Sequence, residues 1–470
     1  MIFQSYEYAG LLILVVGVYW VLPRLGQNLL LLSASYLFYG WVHPWLAFLL
    51  LGYMVVAYAS ARGIREYPQH RGKILTAAVT STLIVLGVFK YLGFFIDDIV
   101  GIFSSLGISD DSFLLSIFLP IGISFYAFQT LAYVIDVYQE RIEPRNNFID
   151  VAVFVSFFPQ LVAGPIERAG RLLPQFERKR RINSDDFSSG LQLLLWGFFK
   201  KLVIADNVAV IVDKIFQTQQ PSPALLGVGV LAFGIQIFAD FSGYTDIARG
   251  SAKLLGINLS RNFDNPYLSA SPMEFWRRWH ISLSTWFRDY VYIPLGGSRA
   301  GRWRNAAALM VTFLLAGLWH GAAWNFLIWG GFHGALLQVH RMVGGSISGW
   351  PHLGRIPSVI VTFLMVNLGW FFFRATDLSI AWDSITGFID DTSVGDGDVS
   401  TFLFFQVLIY SAPLWAHAVY QRIRIADWAQ QQPIQWWLGI PLRTAIATAL
   451  FTGILVLRSQ FSQDFIYFQF

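Results

Sequence analysis

The chain contains no cysteine. That absence excludes disulfides, thiolate metal sites, cysteine-linked acylation and a cysteine nucleophile, so any covalent chemistry has to use another group. Charge is also scarce: Asp, Glu, Lys and Arg make up 13% of 470 residues, against about 25% in soluble globular chains. There is no GxxxxGK[ST] loop, no Rossmann glycine pattern and no HExxH pair, which removes nucleotide-driven coupling and the commonest zinc-hydrolase signature. His320 and His333 are too far apart to share a helical face at neighbouring turns, so no metal site is expected. The net charge is only +4. Membrane topology accounts for the basic residues, and nucleic-acid binding is not expected.

What is present is apolar. Hydrophobic residues make up 55% of the chain and aromatic residues 17%, with a mean hydropathy of +0.52. Stretches such as 74–96, 112–138, 187–216 and 401–420 approach or exceed the roughly 20 apolar residues of one helical span. The first twenty residues carry no basic leader region and no small-residue cleavage site, and read as a retained helix. Loops rich in Lys and Arg tend to remain cytoplasmic. This places the loops holding Arg62–Lys73, Arg141–Arg145 and Arg168–Arg181 inside, and those holding Asp97, Asp98, Asp110, Asp111 and Asp390–Asp398 outside. Spans are expected near 9–22, 28–42, 44–60, 74–96, 112–138, 187–216, 223–241, 303–319, 324–341, 356–374, 401–420 and 441–458. The fold class is an all-α polytopic membrane protein of about 11–12 crossings, forming one domain over 1–470 with its motif-bearing core at about 119–345.

Two stretches interrupt this regularity. "FVSFFPQLVAGPIE", 154–167, is apolar but broken by Pro159 and Gly164-Pro165, and reads as a re-entrant segment enclosed by protein. The stretch 242–302 is too amphipathic to cross and reads as an inner-face insertion. Within it Ser271, Pro272 and Glu274 have the pattern of a helix start with a capping box. Trp276, Trp279, His280, Leu283, Trp286, Phe287 and Tyr290 follow at helical spacing, so one helix is expected with His280 on its aromatic face.

"GLWHGAAWN", 317–325, places an imidazole between two apolar runs. An ionisable group in such a setting faces a bundle interior or a wet cavity, and the small residues around His320 leave room for a pocket. Position alone is equally consistent with a general base and with an inter-helix hydrogen-bonding residue. An aromatic stripe holding one histidine is ordinarily a packing face, the simpler reading of His280. His43, His333, His340 and His417 read as packing residues, and Asp240, Tyr244 and Asp246 as capping groups at a span's inner end.

Several further stretches complete a recognisable set: "LPIGISFYAFQTLAYVIDVY" at 119–138, "FFPQLVAGPI" at 157–166, "DFSGYTDIARG" at 240–250, "PMEFWRRWHISLSTWFRDYVYIPLGG" at 272–297 and "FIYFQF" at 465–470. With "GLWHGAAWN" they resemble the membrane-bound O-acyltransferase (MBOAT) family, and within it the alginate O-acetylation branch, sister to the D-alanyl transfer branch. The resemblance implies a ring of tilted helices around a thin partition. It implies that His320, in its Trp-His-Gly setting, and His280 are the catalytic pair. It further implies that Trp276, Arg277, Arg278, Trp279, Ser282, Trp319, Asn325, Asp240 and Tyr244 bind the donor or line its tunnel. The donor would be an acyl thioester, acetyl-CoA or an acylated carrier, used as substrate with no bound cofactor. The acceptor would be a hydroxyl on the outer face, and the location a bacterial inner membrane. A separate SGNH-type extracytoplasmic transferase and polysaccharide machinery are implied as partners, since no such domain follows residue 470.

Two other classes of function compete: D-alanyl, lipid or peptide O-acylation by the same fold, and transport of a polysaccharide or lipid without chemistry. Charge-based topology also places the two histidines at different depths, separated by a span of about fifteen residues, or roughly 22 Å of helix. The cysteine-free chain allows a direct test of orientation. A cysteine replacing Ser298 is predicted to react with a membrane-impermeant reagent only from the cytoplasmic side, and one placed in 377–400 only from outside; outside-only labelling at Ser298 contradicts this topology.

Overall fold

Apolar runs of this length have no water along them to satisfy backbone N–H and C=O groups, so each must close its own hydrogen bonds as a helix. The computed structural model describes residues 1–105, 120–218, 221–299, 301–375, 397–425, 436–461 and 463–468. Among these residues every regular element is helical and no strand forms. Of the outside loops expected at 97–111 and 377–400, residues 106–111 and 377–396 lie beyond the described residues, whereas Asp97 and Asp98 fall within the helix Arg71–Ser105 and Asp398 within the helix Gly397–Ile425.

The helices are α1 (Tyr6–Tyr19), α2 (Arg24–Gly40), α3 (Leu46–Glu66), α4 (Arg71–Ser105), α5 (Ile123–Tyr138), α6 (Phe148–Ser156), the single turn α7 (Phe158–Leu161), α8 (Ala169–Phe176) and α9 (Ser184–Phe199). A π-helical turn, Lys200–Ala205, joins α9 to α10 (Asp206–Gln217). There follow α11 (Pro223–Leu254), α12 (Pro272–Arg278), α13 (Ile281–Phe287), α14 (Arg302–His320), α15 (Trp324–Met342), α16 (Arg355–Arg374), α17 (Gly397–Ile425) and α18 (Trp436–Leu457). Among the described residues five segments are long and apolar enough to cross a membrane: Leu46–Glu66, Pro68–Tyr91, Pro223–Leu254, Arg355–Arg374 and Gly397–Gln421. Tyr6–Tyr19 and Pro441–Leu457 are apolar but shorter.

Two further sequence expectations are refined. The expected span 187–216 is helical from Ser184 to Gln217, with the π-turn set inside it. The span expected to end at 241 continues to Leu254, so the inner insertion begins there. Asp240, Tyr244 and Asp246 therefore lie inside α11 and do not cap its end. Their polarity is absorbed by the π-turn and the N-terminal segment: Lys200 Nζ donates to Asp246 at 2.7 Å and to Ser242 Oγ at 3.0 Å, Lys201 pairs with Asp240 at 2.9 Å, and Tyr244 Oη donates to Gln4 Oε1 at 3.1 Å.

The segment 154–167 is broken, as expected, and buried throughout 151–166. Its loosened backbone is satisfied internally. Phe158 N donates to Ser35 Oγ at 3.1 Å, Gly164 N to Gln160 O at 2.9 Å, Gln160 Nε2 to Pro165 O at 2.9 Å, and Ile166 N to Ser282 Oγ at 2.9 Å.

The α9–α11 crossing is set by glycine. A Cβ on Gly197 would lie 2.8 Å from Gly243 O, and one on Gly250 would lie 2.7 Å from Gly190 O. Backbones this close admit no side chain between them, the usual device where helices pack without a hydrophobic drive. Gly250→Val is predicted to lower stability by about 1–3 kcal/mol through forced separation of the two helices. Gly227→Ala, with nothing within 4 Å of its Cβ, should be neutral or stabilising; detergent melting of the two variants compares them.

Candidate active site

The helix expected over 272–290 starts where its caps predict. Ser271 Oγ accepts from Glu274 N at 3.1 Å, and the Glu274 carboxylate reaches back to Ala270 N at 2.7 Å. It does not continue. Trp279 is extended at φ −99° and ψ 130°, and His280 lies in the left-handed region at φ 40° and ψ 55°. A non-glycine residue held there stores backbone strain of order 1–3 kcal/mol. His280 is therefore a corner between α12 and α13, and not one member of a helical aromatic face. Asn262 holds the corner: its backbone carbonyl accepts from Ile281 N at 2.9 Å, and its side chain accepts from Ser282 Oγ at 2.6 Å.

The two histidines are not separated by a span's length. From His280 the chain runs away along α13 and a π-turn to Tyr292, then returns along α14 to His320. The 22 Å expectation counted the return helix and omitted the outward leg, which largely cancels it. The His320 ring lies 5.0 Å from the Trp319 ring, and His280 lies 6.0 Å from the same indole. The imidazole centroids are thus at most about 11 Å apart. Both also face Tyr467, at 5.4 Å from His320 and 6.4 Å from His280.

His320 ends α14, 5% exposed, with Trp329 at 5.0 Å and Phe373 at 5.2 Å completing its enclosure. Phe241 of α11 packs on His280 at 4.7 Å and on Tyr467 at 4.5 Å. Among the described residues, several polar atoms in this apolar setting have no hydrogen-bond partner: both ring nitrogens of His280, Nδ1 of His320, Nε1 of Trp319 and of Trp329, and Oδ1 of Asn325. Buried polar atoms are ordinarily paired, so such a concentration makes this a candidate site for a ligand that brings its own donors and acceptors.

Tyr467 reaches this place through a clasp. Lys201, in the π-turn, bridges Asp206 at 2.8 Å and Asp240 at 2.9 Å and donates to Gln463 O at 2.8 Å. The other oxygen of Asp240 accepts from Ile466 N at 2.7 Å. Phe465 stacks on Tyr244 at 4.2 Å. Segment 463–468 is thereby threaded from the end of α18 back into the core.

The remaining residues implied by the resemblance divide into two groups. Trp276 sits against Trp329 and Phe313 at 5.7 and 5.1 Å, Trp279 against Trp370 at 4.8 Å, and Asn325 donates to Phe373 O at 3.4 Å, all beside the histidine enclosure. Ser282 joins the His280 corner to Ile166, while Asp240 and Tyr244 seat the 463–468 segment. Arg277 is exposed, and Arg278 pairs with Glu274 at 2.7 Å and donates to Asp264 O, so neither faces the histidines. Sequence reasoning missed Phe241, Trp329, Phe373 and Tyr467 as walls. Of these, Phe241 and Tyr467 carried a signal, through the "DFSGYTDIARG" and "FIYFQF" stretches.

Among the described residues, long apolar helices pack around two buried histidines that share a tryptophan, which makes this a candidate site within a membrane-embedded fold. The model of the membrane-bound O-acyltransferase family matches residues 105–374, and the chain belongs to that family: it is an acyltransferase and a multi-pass bacterial membrane protein. The "Probable alginate O-acetylase AlgI" of Azotobacter vinelandii is 41% identical over 389 residues, covering 81% of this chain and 77% of that one. The "Peptidoglycan O-acetyltransferase" of Helicobacter pylori is 31% identical over 505 residues, covering 96% and 94%. The "Teichoic acid D-alanyltransferase" of Bacillus subtilis is more distant, at 28% over 54% of this chain.

The clasp leads to a stability prediction. Lys201→Met leaves two carboxylates buried to within 4% without their cation, an error that costs about 3–5 kcal/mol when one partner of a buried pair is removed. Detergent melting is expected to fall accordingly; an unchanged melting point would show that the clasp does not bear on stability.

Proposed function

We propose that this protein moves an acyl group, acetyl, from a cytoplasmic thioester to a hydroxyl on the extracytoplasmic side, in O-acetylation of an exopolysaccharide. The observation that carries the reading is the convergence of His320 and His280 on Trp319 and Tyr467, within an enclosure of unpaired polar atoms. The relatives named for acetyl transfer to alginate and to peptidoglycan support the acetyl group and a polymeric acceptor.

In this reading the imidazole of His320 takes the hydroxyl proton as the alcohol oxygen bonds to the thioester carbonyl carbon. The C=O electron pair moves onto oxygen; when it returns, the C–S bond breaks and the thiolate leaves with the proton from the imidazolium. His280, held at its strained corner, forms the donor side of the same enclosure. Trp276, Trp279, Trp319 and Asn325 border the path of the donor, either acetyl-CoA or an acylated carrier. A separate extracytoplasmic transferase of SGNH type receives the acyl group before the polysaccharide does.

His320→Ala tests the reading. Loss of a positioned general base is expected to lower transfer by 10²–10⁴-fold or so at every donor concentration, with insertion and melting retained. The measurement is exopolysaccharide acetyl content in cells, paired with detergent melting. Wild-type acetylation by a folded variant would falsify the assignment.

A further inference from the structure

Lys90 lies in α4, and its Nζ donates to the backbone carbonyl of Trp319, the residue before His320. The ammonium stands 5.5 Å from the centroid of the Trp319 ring, which is itself 5.0 Å from the His320 ring. Lengths along the two helices agree with this placement. Arg71 to Lys90 and Arg302 to His320 each rise about 27–28 Å, so two helices that start among basic residues bring a cation and an imidazole to one level. Next to it, Tyr91 Oη donates to Leu318 O at 2.6 Å. Together Lys90 and Tyr91 satisfy two of the carbonyls that the end of α14 leaves open.

Capping explains Tyr91 but not the charge on Lys90. A neutral donor would satisfy the Trp319 carbonyl equally well, whereas a cation at the end of an apolar span carries a desolvation cost of several kcal/mol unless something negative compensates it. Among the described residues no carboxylate lies within 4.0 Å of Lys90 Nζ. One of its three N–H groups is used on Trp319 O, and the others have no partner among the described residues. The ammonium and the imidazole ring, both against Trp319, are thus no more than about 10.5 Å apart, a separation that an alcohol oxygen and an acyl carbonyl in series can bridge.

We propose that Lys90 is a further catalytic residue of the acyl transfer, its ammonium being the group against which the carbonyl oxygen becomes negative as the alcohol attacks. This rests on the functional reading above. Bonds are made and broken as already described: the proton passes from the alcohol to His320 and then to the leaving sulfur. Lys90 neither gains nor loses a proton; it faces the oxygen that carries charge between the two bond changes. A fixed donor of this kind is worth about 10²–10³ in kcat.

The absence of native cysteine makes the test direct. Lys90→Cys is purified folded, then alkylated either with 2-bromoethylamine, which rebuilds an ammonium of nearly lysine length, or with iodoacetamide, which adds a neutral amide donor. Transfer is measured in membrane vesicles with acetyl-CoA as donor and, as acceptor, oligouronate supplied together with the extracytoplasmic transferase. The expected result is a loss of about 10²–10³ in kcat with both KM values unchanged, recovery with the ammonium adduct and none with the amide adduct. Tyr91→Phe, which removes only the neighbouring cap, should stay within about threefold of wild type. Recovery with the amide adduct, an equal loss in Tyr91→Phe, an undiminished rate in Lys90→Cys, or a change confined to the acceptor KM would each overturn the assignment. A wild-type rate in His320→Ala sinks the functional reading itself; loss there with no loss at Lys90→Cys sinks only this proposal.

Discussion

Backbone groups freed where a helix breaks must find partners inside the protein when no water is at hand, and the candidate site is built out of that requirement. Two breaks, at 157–166 and at Trp279–His280, are tied to each other by Ser282, whose hydroxyl accepts from Ile166 N and donates to Asn262. Asn262 in turn accepts from Ile281 N through its backbone carbonyl. The strained His280 corner is the product of these bonds. Without them α12 and α13 would have no reason to be two helices, and His280 would stay among the aromatic residues of one continuous face.

The same logic operates at the end of α14. A helix terminus leaves carbonyls open, and here their partners come from α4. The residue closing that helix is His320, followed by Gly321, which lies against the Phe326 ring so closely that a Cβ would come within 2.2 Å of it. An imidazole at a helix end, between an aromatic wall and a tightly packed turn, is fixed in position by its backbone and needs no hydrogen bond to Nδ1 to orient it.

The Lys201 clasp shows how charge is used far from solvent. Lone ions in such surroundings are costly, whereas one lysine between two carboxylates, with backbone N–H and C=O groups taking up the remaining capacity, is a connected network. It fastens the π-turn, α10, α11 and segment 463–468 together. Its yield is positional, since Tyr467 stands between the two histidines only while Ile466 is bound to Asp240.

The sequence by itself determined the all-helical membrane fold, most helix limits to within a few residues, and His320 as the residue to suspect. Those depend on unbroken apolar runs and on one polar group out of place, both local properties. The start of α12 was equally legible, because Ser271, Pro272 and Glu274 act within one turn. Tertiary structure alone decided the rest. Helical spacing ran straight through His280, and only Asn262, eighteen residues earlier, reveals the corner. Nothing in the spacing of Arg277 and Arg278 says that the first is exposed and the second pairs with Glu274. Tyr467 meets partners more than a hundred residues distant in the chain, and Lys90 is one charge in an apolar run with nothing local to say what it meets. Periodicity reports which residues share a face; it carries no information on which faces meet, because that depends on backbone groups and ions pairing across the whole length of the chain.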